Sequence, residues 1–129
     1  MTLGLAQHDP AVTYQVIDFT NRSSRICIIY GYPGVSLAAG TPAVPIGLPA
    51  AHNTSAAPKL VTLTPGAVAN ALLQIKKAPQ NGCGPVQAKY LIVARPNAAG
   101  PVKLPFTATA CSEPVQIMQI SAVSLGTGG

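Results

Sequence analysis

Prolines and glycines are spread so evenly along this chain that a long helix has no room in it. The 129 residues include 13 prolines and 12 glycines. Proline lacks the backbone donor that a helix interior needs, and glycine weakens any regular element. Many short strands joined by turns suit such a chain better than helices do. The sequence therefore predicts an all-β fold.

The composition is that of one folded domain. Hydrophobic residues make up 48% of the chain and charged residues 9%, whereas disordered chains are poor in apolar residues and rich in charge. A chain of this length is typical of one domain. We expect a single domain over residues 1–129, with an ordered core at 3–123 and a flexible tail at 124–129. No apolar run reaches the length of about 18 residues that a transmembrane segment needs.

Two apolar stretches near the N-terminus predict a first hairpin. Residues 12–19, VTYQVIDF, alternate and are rich in β-branched and aromatic side chains, as expected for a strand. Residues 25–32, RICIIYGY, are almost continuously apolar, which is typical of a central sandwich strand. Pro33-Gly34 follows and fits a type II turn, because proline presets φ and glycine accepts a positive φ.

The rest of the chain adds a long connection and further short strands. Residues 38–58 carry too many prolines for a helix or a central strand, so we expect an edge strand near 43–46 and an exposed tip at 52–55. Residues 67–77 contain helix-forming alanine and leucine, but their alternation favours a strand. The other predicted elements are strands at 60–64, 88–94, 102–110 and 115–123 and a loop at 78–87. Seven to nine short strands predict an antiparallel, immunoglobulin-like β-sandwich.

The three cysteines, Cys27, Cys83 and Cys111, match no zinc-binding spacing, and structural roles fit them better. Cys83 and Cys111 each precede a predicted strand, so they can meet across an edge of the sandwich. A disulfide between them closes a loop of about 30 residues and contributes roughly 3 to 4 kcal/mol in the chain-entropy model. Cys27 is then either a small buried hydrophobe or a cysteine whose partner lies upstream of these residues.

The charge pattern argues against nucleic acid as a partner. The formal net charge is +5, but the basic residues are scattered and form no stripe interleaved with aromatic side chains. The excess arises because acids are scarce, with only Asp9, Asp18 and Glu113 present. An anionic envelope polymer or lipid surface is a better match for such a weak, diffuse positive charge.

Motifs for catalysis and cofactor binding are missing from the sequence. No GxSxG, GxGxxG or P-loop pattern occurs. Two histidines, His8 and His52, and three acids leave little material for acid–base chemistry. His8, His52, Met118 and Cys27 are soft metal ligands without a spacing motif. The sequence therefore predicts a protein that is not an enzyme and that binds no cofactor or metal.

Three motifs are specific enough to suggest a family. They are Asn-x-Ser-x-x-x-Cys-x-x-x-Gly-Tyr-Pro-Gly at 21–34, Leu-x-Pro-Gly at 63–66, and the cysteine pair at 83 and 111. With these motifs, the chain from about residue 3 to residue 123 resembles the actinobacterial "domain of unknown function 4232" family. Its members look like secreted proteins or lipoproteins, so the resemblance implies an exported, disulfide-bonded immunoglobulin-like sandwich.

The resemblance also bears on Cys27 and on function. Such domains typically carry a cysteine near their start that pairs with the one before Gly-Tyr-Pro-Gly. None precedes Cys27 here, which places its partner, and any lipid anchor, upstream of these residues. The family carries no catalytic or ligand-binding residues to transfer.

The leading functional hypothesis is an exported, monomeric, non-enzymatic domain of the cell envelope that contacts a protein or a wall polymer. Its predicted contact surface consists of Tyr30, Tyr32, Pro33 and Gly34, because the two tyrosines share one face of a strand that ends at a turn. The alternative is a carrier for a lipid or another small apolar ligand. A carrier would need a hollow between its sheets, which we expect to be lined by Val16, Ile28, Leu73 and Ile92.

Overall fold

A computed structural model describes residues 1–77, 83–96, 100–113 and 115–126 of the chain. These residues contain no helix, which confirms the all-β prediction. Twelve strands occur in the described ranges: β1 (Thr2–His8), β2 (Val12–Thr20), β3 (Cys27–Ile29), β4 (Gly34–Ala39), β5 (Val44–Ile46), β6 (Ala51–His52), β7 (Val61–Leu63), β8 (Val68–Lys76), β9 (Pro85–Ala94), β10 (Val102–Cys111), β11 (Met118–Ile120) and β12 (Ser124–Leu125).

The strands form three sheets that pack as a β-sandwich. The largest has the order β1-β2-β8-β11-β6, with β12 also pairing with β8. The second has the order β10-β9-β4-β5, and β3 and β7 form a two-stranded sheet. Buried residues from all three sheets belong to one hydrophobic core. Neighbouring strands are antiparallel except for β6 and β11, which pair in parallel.

Strand β8 shows why the alternating stretch at 67–77 is a strand and not a helix. Ala69, Ala71, Leu73 and Ile75 are buried, and the residues between them are only half-buried. A strand places every second side chain on the same face, so this pattern turns one apolar face to the core. Strands β2 and β11 cover the two edges of β8. The strand prediction for this stretch is confirmed.

The predicted first hairpin is wrong. Strand β2 pairs with β8 along its whole length and with β1 on its other edge. Because both edges of β2 are taken, the stretch at 25–32 cannot pair there. Only Cys27–Ile29 of that stretch is strand, and it pairs with β7. Strand β1 has no counterpart among the predicted elements.

The Pro-Gly of the Leu-x-Pro-Gly motif, Pro65-Gly66, joins β7 to β8 in a tight turn. Gly66 has a φ of 85°, and the amide of Ala67 donates to the carbonyl of Thr64 at 2.9 Å. A positive φ at the third position is the requirement of a type II turn, which explains the glycine.

The predicted type II turn at Pro33-Gly34 is wrong. Gly34 already belongs to β4, and Pro33 is buried. The positive φ, 105°, lies at Gly31 instead. The corner therefore precedes Pro33, where the chain leaves its pairing with β7 and begins to pair with β9.

Several predicted boundaries shift because local pairing extends or shortens the strands. The edge strand near 43–46 is present as β5. The tip at 52–55 is less free than expected, since His52 lies in β6 and pairs with β11. The strand predicted at 115–123 shortens to Met118–Ile120.

The ends of two predicted irregular segments also differ. The predicted tail begins with Ser124–Leu125, which pairs with β8 as β12, so the tail prediction is wrong there. Residues 127–129 lie outside the described residues. The predicted loop at 78–87 overlaps β9, which begins at Pro85, and its residues 78–82 lie outside the described residues.

The core contains the predicted Cys83–Cys111 disulfide, whose Cα atoms are 5.1 Å apart. Both cysteines are buried. Cys111 pairs with Pro85, so the disulfide closes the open end of the β9–β10 hairpin and does not bridge an edge of the sandwich as expected. The largest fully buried side chains around the core include Ile17, Leu37, Leu63, Leu73, Leu91, Met118 and Ile120.

Candidate functional site

Large apolar side chains lie exposed on the outer side of the two-stranded sheet. Ile26, Ile28 and Tyr30 occupy alternate positions along the chain and are 64%, 62% and 49% exposed. Leu60, which immediately precedes β7, is 66% exposed. We call these four side chains the β3–β7 face. Apolar side chains clustered in this way on a protein surface mark interaction sites.

The register of β3 with β7 explains why β3 carries apolar side chains on both of its faces, one buried and one exposed. Ile29 lies opposite Val61, and both side chains are buried. Ile28 lies opposite Thr62, and both are exposed. Because successive side chains alternate between faces, burial of Ile29 obliges its neighbours to point outward. Within this continuous apolar run, Ile29 therefore packs in the core, and its neighbours Ile28 and Tyr30 remain exposed to water.

Basic residues adjoin the β3–β7 face, two of them along the chain and one beside it in space. Arg25 and Lys59 are exposed, and each immediately precedes a residue of the face. Arg95, at the end of β9, lines a depression of about 520 Å³ together with Ile28 and Tyr30. The chain has three acids: Asp9 lies in the β1–β2 turn, Asp18 lies in β2, and Glu113 follows β10. The lining of this depression thus includes one basic and no acidic side chain.

A second depression, of about 260 Å³, adjoins the first. Cys27, Ile29 and Arg95 line both depressions, and neither has an acidic residue in its lining. Cys27 is half-buried, forms no disulfide and has its Sγ 3.7 Å from the Ser23 hydroxyl. Since the other two cysteines are joined, Cys27 carries the only free thiol of the chain.

Asn21 fixes the loop that leads into β3. The residue is 5% exposed, and its Nδ2 donates to the carbonyls of Arg25 and Leu63 at 2.8 Å each. Its Oδ1 accepts from the amide of Ser23 at 3.0 Å and from the hydroxyl at 2.7 Å. These bonds join the loop before β3 to the end of β7. One buried amide thus sets the position of both strands of the β3–β7 face.

The residues of the predicted contact surface do not share one surface. Tyr30 lies in the β3–β7 face. The Tyr32 ring stacks on the His52 ring, with centroids 4.1 Å apart and planes 6° apart. The Tyr32 hydroxyl donates to the backbone carbonyl of Asn53 at 3.1 Å. Pro33 is buried, and Gly34 is exposed at the start of β4. Tyr32 therefore holds the 51–55 segment against the sandwich.

The residues proposed for a carrier hollow do not converge either. Leu73 is fully buried in the core, whereas Ile28 is exposed on the β3–β7 face. Val16 lines an outer depression of the largest sheet, together with Tyr14. Ile92 is half-buried in β9. The prediction that these side chains line one hollow is wrong, because the alternation within each strand sends them to different faces.

The histidines and cysteines form no assembled cluster. His8 Nδ1 lies 3.4 Å from the Thr13 hydroxyl, and His52 stacks on Tyr32. Met118 is buried in β11. Within the described ranges, no three His, Cys, Asp or Glu side chains are placed to hold a metal ion.

Asp18 is the acid with a perturbed environment. Its Oδ1 is buried and has no hydrogen-bond partner among the described residues. Burial raises the pKa of this carboxyl above its usual value of 3.8, because the ionised form loses hydration. Its Oδ2 occupies the space that a Cβ at Gly4 of β1 would need. The glycine in β1 therefore lets the strand pass close to the carboxylate.

Ile26, Ile28 and Leu60 are the residues of this site that sequence reasoning missed. A continuous apolar run predicts a strand buried on both faces, so Ile26 and Ile28 were expected inside. The available signal was the polar partner strand, since Thr62 and Thr64 alternate with the buried Val61 and Leu63. A strand whose neighbour is polar on one face is exposed on that face.

Fold and site together define a class of protein: a β-sandwich with a buried disulfide and an exposed apolar face beside a depression lined by Arg95. The family model "Domain of unknown function (DUF4232)" matches residues 2–124, and the chain belongs to this family. No curated protein and no solved structure matches the chain. Among the described residues there is no helix with the length and apolar character to cross a membrane.

Proposed function

We propose that this protein is an exported, non-enzymatic domain of the actinobacterial cell envelope that acts, as a monomer, by contact. The observation that carries the proposal is the β3–β7 face, with four large apolar side chains between 49% and 66% exposed. Burial of such surface against a partner is favourable by roughly 25 cal/mol per Å². The partner is another component of the envelope: a protein, a wall polymer or the membrane surface.

The disulfide supports export. Cytosolic proteins rarely keep disulfides, because the cytosol maintains thiols in the reduced form. The Cys83–Cys111 disulfide lies in the core and belongs to the packing of the β9–β10 hairpin. A non-enzymatic role is supported by the placement of the histidines, since His8 contacts Thr13 and His52 is stacked on Tyr32.

The test compares two charge-matched variants of the immobilised protein. Ile28→Glu adds one acid to the β3–β7 face, and Leu5→Glu adds one acid to β1, where Leu5 is 65% exposed. Both are incubated with envelope extract from an actinobacterium. We expect Ile28→Glu to lose material that the wild type and Leu5→Glu retain. Equal retention by all three proteins would refute the β3–β7 face as the contact surface.

Export is tested separately in the native host. The full-length gene product is expected outside the cytoplasm with Cys83 and Cys111 joined, so that neither of these two is alkylated under non-reducing conditions. A cytoplasmic product with three alkylated thiols would contradict export.

A further inference from the structure

We infer that the β3–β7 face docks on an anionic lipid surface. This inference rests on the proposed function, because it names the envelope component with which the face makes contact. It follows from two properties that occur together at one place: exposed aliphatic and aromatic side chains, and unopposed positive charge.

The apolar side chains suit the boundary between lipid headgroups and acyl chains. Ile26, Ile28 and Leu60 are aliphatic, are each more than 60% exposed and stand on the outer side of a sheet. Tyr30, on the same face, has a polar tip on an apolar ring, and such side chains concentrate at the membrane–water interface. Peripheral proteins bind membranes by burying apolar side chains at this depth while polar groups remain in the headgroup layer.

The charges at this place complement an anionic headgroup layer. Arg95 lines the depression beside the face, and the exposed Arg25 and Lys59 immediately precede Ile26 and Leu60 in the chain. Long basic side chains can reach phosphate groups while their stems cover apolar surface. No acidic side chain lines either depression beside the face. A basic residue near an anionic membrane surface strengthens binding about fivefold. The net charge of +5 adds attraction at longer range.

Other occupants fit these observations less well. A polysaccharide needs directional hydrogen bonds, whereas the outer side of β7 and the residue after it offer the hydroxyls of Thr62 and Thr64 beside the apolar side chains. A phosphodiester polymer could pair with the basic side chains but would leave the apolar side chains of the face in water. A second copy of this chain, placed face to face, would bring like charges together, which disfavours association. A protein partner would need an apolar centre with an acidic rim, and the experiment treats it as a separate outcome.

The experiment is co-sedimentation of the 129-residue protein with large unilamellar vesicles. Vesicles of phosphatidylcholine alone are compared with vesicles of phosphatidylcholine and phosphatidylglycerol at about 3:1, at low salt and at about 0.5 M salt. We expect binding to the anionic vesicles only, and weaker binding at high salt. Arg25→Gln and Lys59→Gln should each lower the partition coefficient about fivefold. Ile28→Glu should lower it more than about tenfold, through lost burial and added repulsion.

Two matched variants separate this face from overall charge and hydrophobicity. Lys103→Gln removes a cation from β10, where Lys103 lies 4.6 Å from the centre of the Tyr90 ring, and Leu5→Glu alters an equally exposed side chain of β1. Each of these two control variants should change the partition coefficient less than about twofold relative to the wild type. Equal loss in the control and face variants would overturn the inference.

The result also distinguishes this inference from the proposed function. If anionic vesicles do not bind the wild type, but Ile28→Glu still loses a protein or polymer captured from envelope extract, the lipid inference fails and the contact function stands. If neither vesicles nor extract distinguishes Ile28→Glu from wild type, both fail.

Discussion

Removal of the Asn21 side chain tests whether one buried amide holds the β3–β7 face together. In Asn21→Ala, the buried carbonyl of Leu63 loses a donor at 2.8 Å, and the carbonyl of Arg25 loses another. A buried polar group left without a partner costs about 1 to 3 kcal/mol, and a partly exposed one costs less. The Ser23 amide and hydroxyl are reached by water. We therefore expect the free energy of unfolding to fall by about 3 kcal/mol.

Asn53 provides a matched control within the same chain. Its Oδ1 accepts from the amide of Ser55 at 3.1 Å, as that of Asn21 does from Ser23, but the bond is exposed. Asn53→Ala should lower the free energy of unfolding by no more than about 0.5 kcal/mol. Urea unfolding followed by far-ultraviolet circular dichroism measures both values, and the slope with denaturant should stay the same.

Asn21→Asp separates the donors of this side chain from its acceptor. Aspartate keeps an oxygen for Ser23 but cannot donate to the Arg25 and Leu63 carbonyls, and its charge would face their oxygens. We expect a loss at neutral pH at least as large as that of Asn21→Ala. An aspartate variant as stable as the wild type would refute the reasoning, because it would show that the two donated bonds contribute nothing.

Three further predictions concern other parts of the fold. Replacement of Cys83 and Cys111 together by alanine should lower the free energy of unfolding by about 3 to 4 kcal/mol, because their 28-residue separation closes a long loop; an unchanged urea midpoint would contradict this. Because the pKa of Asp18 is raised in the folded state, the unfolded chain ionises first as pH rises from 3.8. The wild type should therefore lose stability relative to Asp18→Asn from that pH up to the folded pKa, with a constant difference above it; parallel stability curves across this window would argue against it. Gly47→Ala should cost more than about 2 kcal/mol, because Gly47 has a φ of 72° and an added Cβ would collide with the Cys111 carbonyl, whereas Gly100→Ala, with φ of 84° and open space around it, should cost about 1 kcal/mol in thermal or urea unfolding.

The strands that could be predicted are those whose pattern reports one buried face. The alternation in Val68–Lys76 and the stretch around Leu91 predict strands because their apolar residues fall on one side. The disulfide could be predicted because three cysteines with no metal spacing leave few pairings. The alternation within a strand and the number and spacing of the cysteines can be recognised without knowing which strands pair.

The pairing of strands depends on contacts that sequence patterns do not contain. Residues 25–32 lie next to β2 in the chain, yet β8, about 50 residues further on, takes that edge of β2. The type II turn at Pro33-Gly34 failed for a similar reason, since the buried Pro33 belongs to the crossing from one sheet to another. The exposure of Ile28 depends on its pairing with Thr62 and could not be known before the pairing was.

The Asn21 network has a practical consequence for the choice of expression host. Asn21-Arg22-Ser23 has the form of an acceptor for N-linked glycosylation, and the glycan is attached to the side-chain nitrogen. In the folded protein that nitrogen donates to Arg25 and Leu63 and is buried. A eukaryotic secretory pathway that attaches a glycan to Asn21 during synthesis would therefore block the network before the chain folds. Oxidising bacterial compartments form the disulfide without this modification, and they are the suitable source of the protein.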